Sequence, residues 1–472
     1  MPDTYEAAAE QMQEQSGRPP VLLPGQTYGK ITDQIAGIVL KRPLTLPFVL
    51  LFGGAFFLFS LLQYAIAYLL MRGVGIWGIN IPIAWGFAII NFVWWIGIGH
   101  AGTFISAILY LLKQSWRNSI NRFAEAMTLF AVMCAGMFPL LHLGRPWLFY
   151  WLLPYPSTMT TWPNFRSPLV WDCFAVSTYF TISLLFWYQA VVPDVATLRD
   201  QAENRTVKAI YAILALGWRG SARHWERFES GYLLLAALAT PLVLSVHTVV
   251  SFDFAVANMP GWHESIYPPY FVSGAIFSGF AMVLILAIPI RYFYHLEDLV
   301  TERHLDNCGK FMIATGLLVT YTYIAENFFS WYGTDVYGAF WSWNRQHGPY
   351  RVVWMLDVFM VCVIPLLLWS KKVRRSPLAL FAISADIVVG MWIERVMIVI
   401  ITLTSTHLPS SAGLYIPTRW DWAVLAGTVG FFAVFFMIFL RTIPMIPIFE
   451  MRKLAYEIQT PEEEKHGVGV IG

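Results

Sequence analysis

The sequence predicts an all-α integral membrane protein that crosses the bilayer ten times. Apolar runs of at least about 20 residues, the length that a helix needs to cross roughly 30 Å of hydrocarbon, recur along nearly the whole chain of 472 residues. Only 13% of the residues are charged, against about 25% in soluble proteins. The runs lack the alternating pattern of barrel strands, and a helix satisfies its own backbone groups in lipid. A helical bundle is therefore expected.

Ten apolar runs define the predicted spans. They lie at about 46–71, 81–112, 123–143, 168–193, 230–252, 268–294, 309–332, 350–370, 376–402 and 420–442. Spans 2 to 4 and spans 6 to 8 start about 185 residues apart and point in the same direction, which is typical of a parallel internal repeat. We therefore expect two four-helix bundles, at 81–252 and 268–402, flanked by spans 1 and 10.

Basic residues predict the face on which each loop lies, since loops rich in Lys and Arg stay in the cytoplasm. Of the 31 basic residues, 24 lie on the side of the N-terminal arm 1–45 and the C-terminal tail 443–472, six lie on the other side, and Arg395 falls inside a span. Both termini are thus predicted to be cytoplasmic. The arm lacks the apolar stretch of a secretory signal and is expected to be retained.

The charge balance and the cysteines argue against two classes of function. The formal net charge is only +2, which provides no basic surface for nucleic acid. The four cysteines lie far apart and form no CxxC pair. We therefore expect no iron–sulfur cluster and no metal site in this chain. The cysteines are Cys134, Cys173, Cys308 and Cys362.

Three ionisable residues are predicted to meet at the outer end of the first bundle. His142 lies near the outer end of span 3, Asp172 near the outer start of span 4, and Asp253 just after span 5. Ionisable side chains inside a membrane are costly and are functional candidates by default. Other interpretations stay open: Asp253 as a solvated loop residue, His142 as a helix end capped by Gly144, and Asp172 as half of a structural ion pair.

The second bundle carries a comparable group of charges. Its candidates are Glu326, Asp357, Asp386, Glu394 and Arg395. All are predicted in the outer half of the membrane except Asp386, which lies near the midplane, and Arg395 is expected to pair with a carboxylate on another span. Structural ion pairs are the alternative for the whole group. The lone His100 and His247 are expected to be core histidines hydrogen-bonded to carbonyl oxygens.

A histidine and two carboxyls at the edge of an apolar bundle suit a lipid-soluble substrate that exchanges protons. A quinol is the natural candidate, because its two hydroxyls need bases such as a neutral imidazole and a carboxylate. The loop at 145–168 is rich in aromatic residues and proline. It is expected either to form an aromatic belt at the membrane interface or to support an external partner.

Two motifs make the chain resemble a known family. Leu-His-Leu-Gly-Arg-Pro occupies 141–146, and Arg-Ser-Pro-Leu-Val-Trp-Asp occupies 166–172. With the ten spans, these motifs make the chain similar to the NrfD or polysulfide-reductase membrane subunits, and most of all to the quinol-oxidising membrane subunit of bacterial alternative complex III. Shorter members of the family lack the two flanking spans.

The resemblance implies a subunit of the bacterial cytoplasmic membrane with no haem or iron–sulfur cluster of its own. It would oxidise menaquinol or ubiquinol near the periplasmic surface and pass the electrons to a peripheral iron–sulfur subunit. Multihaem cytochrome c subunits and a second NrfD-like membrane protein would complete the complex. His142, Asp172 and Asp253 would be catalytic, with Arg395 and Arg145 near the quinol.

Proton translocation is also implied by the resemblance. Its route in this chain would consist of Glu326, Asp357, Asp386, Glu394 and His247. Three alternatives remain at this point. A secondary transporter would bind its substrate through Asp386 and Arg395, a haem b enzyme would use His142 and His247, and a non-oxidising NrfD-like subunit would belong to the same complex.

Overall fold

The structure, a computed structural model, describes residues 19–153, 163–333, 335–405 and 407–459. Within these ranges ten helices are long and apolar enough to cross a membrane, and no strand is present. Spans 1 to 10 are Leu46–Arg72, Phe87–Leu111, Asn121–His142, Pro168–Gln201, Ala222–Ala255, Tyr267–Tyr294, Glu302–Tyr332, Arg351–Trp369, Pro377–Thr404 and Arg419–Thr442. The predicted fold class is confirmed.

Four other helices in the described ranges have ten residues or more. They are Tyr28–Leu40, Arg205–Leu214, Val336–His347 and Ile448–Gln459. The number of spans is even, so the first and the last of these helices lie on one face of the bundle, where they contact each other. We call this the terminal face and the opposite one the loop face. The arm 1–45 and the tail 443–472 each contain one of these helices, and each of the two helices has a buried side.

Span 2 lies at the centre of the molecule. It packs along spans 3 and 6, and span 6 also contacts spans 5, 7 and 9. Span 4 packs on span 5, and span 8 packs on spans 7 and 9. Spans 1 and 10 pair with each other beside span 3. Spans 2, 3 and 4 start at residues 87, 121 and 168, and spans 6, 7 and 8 start at residues 267, 302 and 351, about 180 residues later in each case.

Glycines permit the closest helix contacts at this centre. A Cβ at Gly279 of span 6 would lie 2.6 Å from Cβ of Ala101 in span 2 and 2.9 Å from its backbone nitrogen. A Cβ at Gly102 would lie 2.1 Å from the carbonyl oxygen of Ala124 in span 3. Lipid tails are as apolar as leucine, so close backbone packing of this kind is a main source of helix association in membranes.

Three spans contain a short π-helical segment. The segments are Phe104–Ile108 in span 2, Phe359–Val363 in span 8 and Met397–Ile401 in span 9. The second begins two residues after Asp357, and the third begins two residues after Arg395. Such segments are frequent at functional sites. Hydropathy predicted these spans as uninterrupted helices because it does not register a change in hydrogen-bond spacing.

We expect Gly279→Ala to destabilise the protein. Its new methyl group must displace the backbone of span 2, and overpacking of this kind typically costs about 1–3 kcal/mol. The melting temperature of the purified protein measures the effect. Gly53→Ala in span 1 is the matched control, because nothing lies within 4 Å of its added Cβ and both changes bring the same gain in helix propensity. Equal melting temperatures for the two variants would contradict the close approach.

Candidate functional site

Asp172 and Asp253 form a buried acid pair near the loop face. Asp172 lies in the first turns of span 4, and Asp253 lies in the last turn of span 5. These spans pack together, and the two carboxyl groups are close enough to interact directly. Their exposed fractions are only 5% and 7%, so the interpretation of Asp253 as a solvated loop residue is wrong.

The acid pair has acceptors without donors. Both oxygens of Asp172 and Oδ1 of Asp253 lack a hydrogen-bond partner among the described residues. The neighbouring Trp171 and Phe252 pack edge to face with ring centroids 6.3 Å apart, and Trp171 Nε1 donates to the carbonyl oxygen of Phe165 at 2.7 Å. Buried polar atoms normally have partners. Apart from their interaction with each other, the two carboxyls have no partner among the described residues, so they retain free oxygens that can accept hydrogen bonds from a ligand.

His142 and Arg145 lie where span 3 reaches the loop face. His142 is the last residue of the span and is half-buried. Gly144 follows with a φ of +66°, so the predicted glycine at the helix end is present. In the described part of the chain no hydrogen bond joins His142 to the acid pair, and Arg145 is exposed.

Two tyrosines bind two carboxylates inside the second bundle. The Tyr270 hydroxyl of span 6 donates a hydrogen bond to Glu394 Oε1 in span 9. The Tyr323 hydroxyl of span 7 donates to Asp357 Oδ2 in span 8 at 2.6 Å. The two rings pack edge to face with centroids 6.0 Å apart. These four residues therefore form one tyrosine–acid network that links four spans.

Arg395 was predicted to pair with a carboxylate on another span, but it pairs within its own span. Its Nη2 lies 3.2 Å from Oε2 of Glu394, its neighbour in sequence, and its guanidinium lies 4.3 Å from the ring centroid of Phe271. A planar guanidinium stacks well on an aromatic face. The prediction was wrong because helical angles place Cβ atoms but not the ends of long side chains. Arg395 thus adds a positive charge to the tyrosine–acid network.

His100 of span 2 and His247 of span 5 pack against each other in the interior, with ring centroids 4.5 Å apart. His100 Nδ1 lies 3.3 Å from the carbonyl oxygen of Ile96, as predicted for a core histidine. Neither ring nitrogen of His247 has a partner among the described residues, so the same prediction is wrong there. Arg395 is close enough to act on His247 electrostatically. The histidine pair therefore adjoins the tyrosine–acid network.

Glu326 pairs with a residue of an extramembrane helix. Its Oε2 lies 2.9 Å from Nη1 of Arg345, which belongs to the helix Val336–His347. Glu264, in the loop between spans 5 and 6, lies near this pair and lines a cavity of about 570 Å³ at the loop face. Burial and the charge of Glu326 raise the pKa of Glu264 to about 8, although Arg345 opposes the shift. The cavity therefore contains a carboxyl that is mostly protonated at neutral pH.

A cluster of ion pairs near the terminal face was not predicted. Arg122 Nη2 lies 3.0 Å from Asp194 Oδ2, and Arg122 Nε lies 3.9 Å from Glu125 Oε2. Arg117 lies 3.0 Å from Glu450 in the C-terminal helix. All five side chains are buried. Arg117 joins the C-terminal helix to the segment just before span 3, and Arg122 joins span 3 to span 4.

Asp386 stands apart from these groups. It is half-buried in span 9, and its Oδ2 lacks a partner among the described residues. Gly390, one turn later, packs against span 8, because a Cβ there would lie 3.0 Å from Cβ of Met360. Three members of the predicted proton route, Glu326, Asp357 and Glu394, contact buried arginines or tyrosines, and His247 contacts His100. No contact among the described residues joins Asp386 to the others.

Metal-binding side chains do not gather within the described ranges. No group of three or more His, Cys, Asp or Glu residues there could hold a metal ion. The four cysteines are free thiols, three of them buried. The buried acids, tyrosines and histidines described above offer proton exchange through carboxyl, phenol and imidazole groups.

Sequence reasoning missed Glu264, Arg345, Tyr270 and Tyr323. A signal existed for Tyr323, which precedes Glu326 by three residues and so shares its helix face. Glu264 and Arg345 lie near Glu326 because two connecting segments fold back over the bundle at the loop face. No periodicity in the sequence predicts that fold-back.

We expect Glu264 to lose its proton as the pH rises through about 8. Infrared difference spectra of the purified protein should show a protonated carboxyl band that is present at pH 6 and disappears above pH 8. Because a native pKa above that of the unfolded chain means that folding retains a proton, stability should also fall between about pH 5 and 8. Glu264→Gln should remove both effects. A band that persists unchanged in this variant would contradict the assignment.

Comparison with known proteins gives one family. The model of the family described as polysulphide reductase, NrfD, matches residues 78–406. The chain is 25% identical over 413 residues to a protein of Halobacterium salinarum assigned as a dimethyl sulfoxide reductase membrane subunit. It is 23% identical over 414 residues to a selenate reductase subunit of Mesobacillus selenatarsenatis. Each alignment covers 80% of this chain and 90% of the relative. Because the family model spans more than half of the chain and includes spans 2 to 9, this protein belongs to the NrfD family of polysulphide reductase membrane subunits.

Proposed function

We propose that this chain is the quinol-oxidising membrane subunit of a multi-subunit respiratory oxidoreductase. The acid pair carries the proposal, since two adjacent buried carboxyls with orphaned oxygens lie at the edge of an apolar bundle. The names of the two relatives support an enzyme complex of this kind, because they refer to subunits of reductases. The substrate is menaquinol or ubiquinol, which reaches the site from the lipid.

Oxidation of one quinol to quinone releases two protons and two electrons. Two adjacent carboxyls do not both ionise readily, so the acid pair shares one proton and carries one negative charge. It accepts one more proton from the first quinol hydroxyl, and the neutral imidazole of His142 accepts the other from the second hydroxyl. The two electrons would leave one at a time, and an iron–sulfur cluster in a peripheral subunit on the loop face would accept them.

The proposal places the loop face in the periplasm and both termini in the cytoplasm of a bacterium. The excess of basic residues in the loops of the terminal face supports this orientation. The finer proposal is a complex like alternative complex III, in which the electron path also includes multihaem cytochrome c subunits and a second NrfD-like membrane protein. Length does not distinguish this branch, because the alignments with the two reductase subunits span 90% of those proteins.

Two other classes have less support. A haem b enzyme would need paired histidines, but His142 ends span 3 at the loop face while His247 lies against His100 in the interior. The ring centroids of His100 and His247 lie 4.5 Å apart, which leaves no room for a haem between them. A transporter that binds its substrate through Asp386 and Arg395 is disfavoured, because Arg395 is already engaged by Glu394 and Phe271.

The tyrosine–acid network, with Arg395, is also proposed as part of a proton route. Tyr267 packs edge to face on Tyr270 with ring centroids 6.2 Å apart. Its hydroxyl donates to the carbonyl oxygen of Gly261 at 2.7 Å, and Gly261 lines the cavity at the loop face. In the other direction Arg395 adjoins His247. Tyrosine, carboxyl and imidazole groups all relay protons. Coupling of such a route to quinol oxidation would make the protein proton-translocating.

We expect Asp172→Asn and Asp253→Asn to lower quinol-dependent reduction of the acceptor by about 100-fold or more, the usual contribution of a positioned acid or base. His142→Ala should cause a comparable loss. The measurement is turnover of the purified complex with a soluble quinol. The matched control is Asp33→Asn, which should retain activity because Asp33 is exposed in the helix Tyr28–Leu40 on the terminal face. Full turnover in both acid-pair variants would refute the site.

Glu394→Gln should separate the two proposed activities. Loss of the ionisable group interrupts proton transfer, whereas the acid pair is untouched, so quinol oxidation continues. The measurement compares proton release with electron transfer for the complex in sealed liposomes, and the ratio of protons to electrons should fall. Asp386→Asn lies in the same span but outside the network, and it should leave the ratio unchanged. A normal ratio in Glu394→Gln would remove this residue from the route.

A further inference from the structure

A deep apolar groove opens between spans 1, 2, 6, 9 and 10. Its volume is about 790 Å³, in the range of typical ligand pockets, roughly 300–1,000 Å³. Trp94 and Trp95 of span 2 line its deep end, and Pro289 of span 6 and Phe436 of span 10 line its walls. None of these residues belongs to the acid pair or to the tyrosine–acid network. The groove is therefore a separate feature of the membrane domain.

Two arginines stand at the mouth of this groove, at the terminal face. Arg42 precedes span 1, and Arg441 lies in the last turn of span 10. Arg42 Nη2 donates to the carbonyl oxygen of Phe293 at 2.6 Å, and Arg441 Nη2 donates to the carbonyl oxygen of Arg42 at 2.5 Å. Carbonyl oxygens fix the two guanidiniums but do not neutralise them. Two positive charges are thus held together beside an apolar cleft.

The length of the groove matches one leaflet of a bilayer. Along span 10 it extends from Val429 to Leu440, which corresponds to about 17 Å at 1.5 Å per helical residue. Half of the hydrocarbon thickness of a typical bilayer is about 15 Å. The two arginines lie at the end of the groove on the terminal face, and Val429 lies near the middle of span 10. An acyl chain anchored at the surface would fill this depth.

We propose that this groove binds one anionic phospholipid, with its phosphate between Arg42 and Arg441 and an acyl chain along the groove. Arginine pairs bind phosphate oxygens through charge-assisted hydrogen bonds. Basic pockets between transmembrane helices at the cytoplasmic face bind anionic headgroups in this way. A quinone would fill the apolar part but would bring no negative charge to the two arginines. The proposal does not depend on the quinol reaction.

The test measures which lipid remains bound to the purified complex. The complex is stripped of lipid in detergent, exposed to vesicles of equal amounts of phosphatidylglycerol and phosphatidylcholine, and purified again, and its lipids are quantified by mass spectrometry. We expect phosphatidylglycerol to be enriched. Arg42→Gln with Arg441→Gln should reduce the enrichment about 30-fold, and Arg441→Lys should preserve most of it. Lys371→Gln with Lys372→Gln, exposed on the same face, is the charge-matched control.

A second pair of variants tests the groove without changing charge. Ala433→Trp places a large ring among the groove-lining side chains and should displace the lipid. Ile438→Trp is the matched control, because Ile438 is exposed on the same span and does not line the groove. Any of three results would overturn the proposal. They are equal retention of both lipids, retention of a quinone in place of phospholipid, and the same loss of lipid in the control variants.

Discussion

Charge buried in a helical bundle governs the organisation of this protein, because hydrocarbon gives an ionisable group no partner other than another polar group. Glu394 has Tyr270 and Arg395, Asp357 has Tyr323, and Glu326 has Arg345. Each of these contacts joins different helices or connecting segments, apart from the contact between the neighbours Glu394 and Arg395. Apolar helix surfaces are equally stable against lipid and against each other, so they do not specify one arrangement of the spans. The polar contacts do specify one.

Asp172 in span 4 and Asp357 in span 8 occupy comparable positions but have different partners. Asp172 and Asp357 both lie near the start of the third helix of a bundle and both are buried. Asp357 receives a hydrogen bond from Tyr323, whereas Asp172 faces Asp253 and receives none from the described residues. An acid with a permanent donor is a structural or relay group. An acid pair with no partner outside itself retains its capacity to bind a ligand, and this difference is the reason for proposing the quinol site there.

The sequence predicted the spans closely because their hydropathy is continuous and a bilayer permits few alternatives to helix. It also predicted that His142, Asp172 and Asp253 would meet at the outer end of the first bundle. The two carboxyls do lie together, but among the described residues no hydrogen bond joins His142 to them. It did not predict the partners of Glu326 or Asp357, or the orphaned ring of His247. Those depend on rotation of each helix about its axis and on segments that fold back over the bundle, neither of which leaves a strong pattern in an apolar sequence.

The flanking spans have a structural role of their own. The family model covers spans 2 to 9 and ends before span 10. Spans 1 and 10 pack backbone to backbone, because a Cβ at Gly427 would lie 2.5 Å from Cβ of Leu62. This tight pairing also holds Arg42 and Arg441 at one point of the terminal face. Spans 1 and 10, with the segment just before span 1, therefore supply one side of the groove and both of its arginines.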